Sequence, residues 1–88
     1  MPKVVVTHDV VDVQRWLEGK AERAAAIGTV GTNVVDTVAQ DGGGKVAVVV
    51  DVNDLAGLQA MLASPSAELA ALMEKHGVTP PFAVFVEK

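Results

Sequence analysis

Cysteine is absent from this 88-residue sequence, which removes disulfides and thiolate metal sites from consideration. The two histidines, His8 and His76, are too few for a histidine-rich metal cage, so no metal is expected. Aromatic residues are almost missing as well: Trp16, Phe82 and Phe85 are the whole set. Basic residues are outnumbered, with 7 Lys and Arg against 11 Asp and Glu and a net charge of −4. A nucleic-acid partner wants a basic face and stacking aromatics, so none is expected. No apolar run approaches the roughly 18–20 residues of a membrane span. Met1–Pro2–Lys3 leads directly into a strand-like run, which is not the pattern of a signal peptide. The expectation is a soluble cytoplasmic protein. No carboxylate pair, Ser/His/Asp set, phosphate loop or zinc motif is present, and no cofactor is expected.

What is present is Val, Ala and Leu, in a chain of one-domain size spanning residues 1–88. So short a chain buries only about 60–65% of the surface its unfolded form exposes. Without disulfides or a metal, a partner chain is the remaining means of support.

The organising stretch is Lys45–Val46–Ala47–Val48–Val49–Val50–Asp51–Val52, launched by Gly42–Gly43–Gly44. β-Branched, glycine-bounded and short, it reads as a strand that is apolar on both faces. Lys3 to His8 reads the same way. Asp12 offers an N-cap to an amphipathic helix whose stripe is Val13, Trp16, Leu17, Ala21 and Ala24. Gly19 weakens its middle, so a break at Gly19–Lys20 is anticipated, and Gly28 ends it. Thr29 to Gln40 is half polar, as suits an outer strand, and Asp41–Gly44 is a hairpin loop with no phosphate-cradling role. Asn53 or Asp54 caps a second helix with Leu55, Leu58, Met61 and Leu62 on its buried face. Ser64–Pro65 interrupts it, with Ser64 predicted to cap a second piece that runs to Lys75 and carries Leu69, Leu72 and Met73. Gly77 closes that piece, and Pro80–Pro81 leads into a last strand over Phe82–Val86.

The order strand, helix, strand, strand, helix, strand predicts an α+β, ferredoxin-like βαββαβ sandwich: a four-stranded antiparallel sheet with two helices on one face. The first and third strands, apolar on both faces, take the central positions. Helices cover one sheet face only, so the other needs a cover, and a second copy of the sheet supplies it. A homodimer through the sheet face is the expected assembly.

With its first-strand histidine (Val4–Val5–Val6–Thr7–His8), Trp16–Leu17 on the first helix, the Ser64–Pro65 break and the Gly77–Val78 turn into Phe82–Val86, the chain resembles the dimeric α+β barrel superfamily over nearly its whole length. The resemblance implies a pocket between sheet and helices that takes a small hydrophobic ligand. It also spans several activities, including cofactor-free monooxygenases of antibiotic biosynthesis, haem-handling enzymes, cyclases and stress-type dimers without chemistry. Fold does not fix function.

His8 and Trp16 are the candidate ligand-binding residues. His8 could act as a general base or donate a hydrogen bond to a substrate oxygen; a strand-end histidine bonded to backbone is the commoner arrangement. Alternation along a strand argues against a direct His8–Asp9 dyad. Trp16 either walls the pocket, in a cleft between the sheet and the first helix, or simply fills space against the sheet. Asn33 and Asp36 fall on opposite strand faces and read as polar groups turned to water. His76 reads as an exposed histidine compensating a helix dipole.

Overall fold

The computed structural model describes residues 2–88; Met1, part of the reading of the amino terminus above, lies outside them. The chain runs β1 (Lys3–Val10), α1 (Val13–Glu18), α2 (Lys20–Ile27), β2 (Gly31–Val38), β3 (Lys45–Val52), α3 (Leu55–Ala63), α4 (Ala67–Lys75) and β4 (Val78–Val86). The sheet is antiparallel with order β2-β3-β1-β4, so the two valine-rich strands are central as expected. Each crossover is two short helices. Gly19 separates α1 from α2, and Ser64 to Ser66 separates α3 from α4.

Side-chain alternation sorts the central strands cleanly. Val4, Val6, His8 and Val10 of β1, with Val46, Val48, Val50 and Val52 of β3, face the helices and are buried. Leu58 of α3, Trp16 of α1 and Val30 complete the core. The opposite face carries Val5, Ala47 and Val49, half buried, beside Phe85 and Val35, which are 60% and 52% exposed. Nothing among the described residues covers it.

β2 departs from simple alternation. Thr32 pairs with Asp51, yet Val35 pairs with Val49, so one extra residue enters between them. Asn33 occupies this bulge with φ of 54° and donates from Nδ2 to Asp51 Oδ2 at 2.9 Å. Short polar side chains tolerate the left-handed region better than branched ones. Beyond the bulge the inward set is Val34 and Asp36, and Val35 turns outward.

Asp12 caps α1 as expected, accepting from Gln14 and Arg15 amides. Asp54 caps α3 through the Gly57 amide. Two readings need correction. Ser64 is the C-cap of α3 and not the N-cap of α4: a residue before proline is pushed into extended backbone, and Ser64 lies at φ −142°, ψ 74°. The cap is Ser66, whose Oγ accepts from Leu69 N at 3.1 Å. β4 also starts four residues early, at Val78, running through Pro80–Pro81. Prolines are tolerated there because β4 is an edge strand with one side unpaired. Gly77, at φ 72°, provides the left-handed turn out of α4. No helix is long and apolar enough to cross a membrane.

Candidate functional site

β1 delivers His8 to the helix face, where it is 7% exposed. Its Nδ1 lies 3.0 Å from the Asp9 carbonyl oxygen. A carbonyl can only accept, so Nδ1 holds the hydrogen and, in the neutral ring, Nε2 presents a lone pair. That nitrogen has no hydrogen-bond partner among the described residues. Burial holds the imidazole below its ordinary value of 6.5, against the opposing pull of the Asp9 carbonyl; the positive charge of Arg23 lowers it further. Trp16 and Phe82 stand at 75° to the ring, with centroids 6.0 and 5.4 Å away. Asp9 itself points outward to Lys45, 3.1 Å away, so the two neighbours form no side-chain dyad.

Arg23 of α2 is the central polar residue and is buried. Its guanidinium lies 4.0 Å from the Trp16 ring centroid. Nη2 donates to Asp36 Oδ2 at 2.9 Å and Nε to Oδ1 at 3.4 Å. Nη1 donates to the Trp16 carbonyl at 3.0 Å and to His76 Nδ1 at 3.2 Å. Arginine has no acceptor, so His76 Nδ1 bears no hydrogen and its Nε2 faces Glu22 Oε1 at 3.5 Å. Glu22 also binds Lys75 at 3.1 Å, and these two partners, Lys75 first, hold its carboxyl below the usual range. Arg15 ties down the end of α4 by donating to the Glu74 and Lys75 carbonyls at 2.6 and 2.7 Å. Trp16 Nε1 is buried with no hydrogen-bond partner among the described residues.

These side chains border a cavity of about 80 Å³ between sheet and helices. Val6, Val48 and Val50 form its floor, Ile27 and Leu58 its flanks, and Leu72, Met73 and Phe82 its outer wall. His8, Arg23 and His76 are its polar lining. A wider, open groove of about 650 Å³ lies outside, between α2, α3 and α4, and shares Ala26, Met61, Leu69 and Leu72 with the cavity. Those four side chains are the partition between the two spaces.

The structure brings His8 and Trp16 together as anticipated, but it revises the site around them. Trp16, fully buried, is not on the cavity wall; it packs beneath Arg23. The cavity lies under α2, the second half of the predicted first helix, together with α3 and α4, and not under α1. His76 is 3% exposed because its ring folds back into the Arg23 cluster, so it is no solvent-facing dipole partner. Asp36 does not face water: the bulge turns it inward, to a side-chain exposure of 2%. Arg23 escaped the sequence reading because α2 starts afresh at Gly19. Ala21, assigned to the apolar stripe, is exposed, and Arg23 takes the inward position. Counting on from Trp16 does not find it, because the same spacing also marks Lys20, which is exposed.

Among the described residues, no group of three or more His, Cys, Asp or Glu side chains is placed to hold a metal ion. No family model matches the chain, and no curated protein matches it. Solved structures do. One is a candidate antibiotic biosynthesis monooxygenase from Bordetella bronchiseptica, at TM-score 0.74 and 13% identity over 99% of this chain and 94% of that one. A second antibiotic biosynthesis monooxygenase aligns at TM-score 0.65 and 14% identity, over 100% and 97% of the two chains. A third, a candidate enzyme of the same description from Deinococcus radiodurans, gives 0.59 and 13%, over 100% and 91%. The chain has the ferredoxin-like α+β fold of these proteins. That agrees with the superfamily resemblance drawn from the sequence, and at such identities it is a statement of fold.

Proposed function

We propose that this chain acts as a homodimer that binds a small, uncharged, mostly apolar molecule in the cavity between sheet and helices, with His8 as the group that holds it. The observation that carries the reading is the unpartnered Nε2 of His8 in an otherwise hydrocarbon-lined space. Every other polar group there is occupied: Arg23 by Asp36, Trp16 and His76, and His76 by Arg23 and Glu22. A neutral imidazole with a lone pair facing an apolar cavity is complementary to a ligand carrying one hydroxyl donor. As a cofactor-free monooxygenase or cyclase-like enzyme, the alternative that the structural neighbours suggest, the chain would use the same nitrogen as its base.

Size bears on both readings. A cavity of about 80 Å³ is below the roughly 300–1,000 Å³ of ordinary ligand pockets. Ligands beyond a single ring must displace Met61, Leu69 and Leu72 into the outer groove. The same small volume favours a second reading, a structural homodimer whose interior is filled by its own side chains.

A thermal-shift screen of phenol, cresols and naphthols separates the readings. A binder raises Tm with concentration; His8→Ala should abolish the shift while the unliganded protein stays folded. A flat response across the panel would establish the structural dimer.

A further inference from the structure

We propose that Asp36 sets the charge selectivity of the cavity: by neutralising Arg23 from behind, it makes a site that would hold anions into one that admits only uncharged ligands. This rests on the ligand-binding reading above and specifies what the site refuses.

A buried guanidinium on a cavity wall is ordinarily an anion site, since its planar N–H fork matches a carboxylate or phosphate. Here four of the five N–H groups are already engaged. Asp36 is not on the cavity wall, yet its carboxylate takes both Nε and Nη2 of Arg23. The Trp16 carbonyl and His76 Nδ1 take Nη1. The other nearby carboxylate, Glu22, faces Lys75 and His76. An anion entering from the groove would therefore lose its hydration and meet a guanidinium whose charge is cancelled by a carboxylate 2.9 Å behind it. An uncharged ligand incurs no such cost and keeps its bond to His8. The selectivity thus originates outside the cavity, in a residue of the outer strand.

Replacing Asp36 with Asn keeps its size but leaves the buried guanidinium without a counter-charge. A bound anion then becomes its partner. The probes are phenol and benzoate, which share a ring and differ in charge at pH 7.5, titrated against the full-length protein with Trp16 fluorescence and Tm as readouts. Wild type should bind phenol and refuse benzoate. Asp36→Asn should gain benzoate affinity by about tenfold to a hundredfold, the worth of one charge-assisted hydrogen bond, with phenol little changed. The doubly neutral Arg23→Gln/Asp36→Asn variant should keep phenol and still refuse benzoate. The proposal is overturned if wild type takes benzoate as well as phenol, or if the double variant gains benzoate as much as Asp36→Asn does. Should Asp36→Asn fold only when benzoate is supplied, the anion is completing the pair as inferred. If it fails to fold even then while the double variant folds, no anion reaches Arg23 and the inference is wrong. Wild type that binds neither probe, with Asp36→Asn also indifferent to both, overturns the ligand-binding reading itself.

Discussion

The imidazole of His76 packs against Gly19 so closely that a β-carbon on residue 19 would collide with Nε2, Cε1 and Cδ2 of the ring. Glycine here is required by that contact as much as by the break between α1 and α2. Alanine has the higher helix propensity by about 1 kcal/mol, so a purely local argument makes Gly19→Ala stabilising. The contact dictates the reverse: the substitution should cost about 1–3 kcal/mol, the usual penalty for overpacking a closed site. Urea unfolding of the two proteins decides the sign.

The stability of the protein should fall in mild acid because of His8. Its folded-state pKa lies below the unfolded value, with burial as the main cause. The unfolded chain therefore binds the proton more readily, and stability rises with pH wherever that difference exists. The contribution is complete above about 6.5 and is lost as pH drops through the depressed folded value. A Tm series from pH 8 to 4.5 should show a fall that is shallower in His8→Gln, which has no imidazole to charge. Equal slopes would mean that the exposed carboxylates account for the acid limb alone.

Val48 and Val49 are adjacent in β3 and face opposite ways, Val48 to the helices and Val49 to the uncovered face. Val48→Asp should leave the chain unfolded, because a buried unpaired carboxylate costs several kcal/mol. Val49→Asp should yield a folded monomer, since its charge falls where a second sheet is proposed to pack. Circular dichroism with light scattering distinguishes the cases, and a wild-type protein that scatters as a monomer would remove the homodimer.

Capping gives a local check. Ser66→Ala should cost about 0.5–2 kcal/mol by removing the acceptor for Leu69 N, while Ser64→Ala should be nearly silent. Thermal denaturation of both variants reports it.

The fold was legible in the sequence because it depends on patterns that repeat. Valines over Lys3–His8 and Lys45–Val52 could only be central strands, and Gly19, Gly28, Gly77 and the Gly42–Gly44 run marked real boundaries. His8 was legible only as the polar residue closing a predicted strand; the face it takes was not, because that strand is apolar on both sides and continues to Val10. The rest of the site was not, because it depends on where periods are interrupted. Gly19 resets the helical phase and brings Arg23 inward in place of Ala21. Asn33 resets the strand phase and brings Asp36 inward. His76 lies past the end of α4, where no periodicity applies, and its burial follows from the space left over Gly19 and from Arg15 fastening that end of the helix. A polar residue just beyond a phase reset cannot be assigned a side by counting.

The bulge at Asn33 has a consequence for how chains of this shape can diverge. Draw Asn33 into the regular ladder at constant chain length and the remainder of the strand turns over. Val35 would then point under the helices and Asp36 would join Phe85 and Val49 on the outer face, so Arg23 would lose its counter-charge at the moment the outer face acquired one. A substitution at residue 33 that closed the bulge would therefore alter both the interior charge and the surface on which a second copy is proposed to pack, whereas deleting the residue would leave Val34, Val35 and Asp36 on their present faces. Two properties of separate faces are thus tied together through the backbone conformation of one residue.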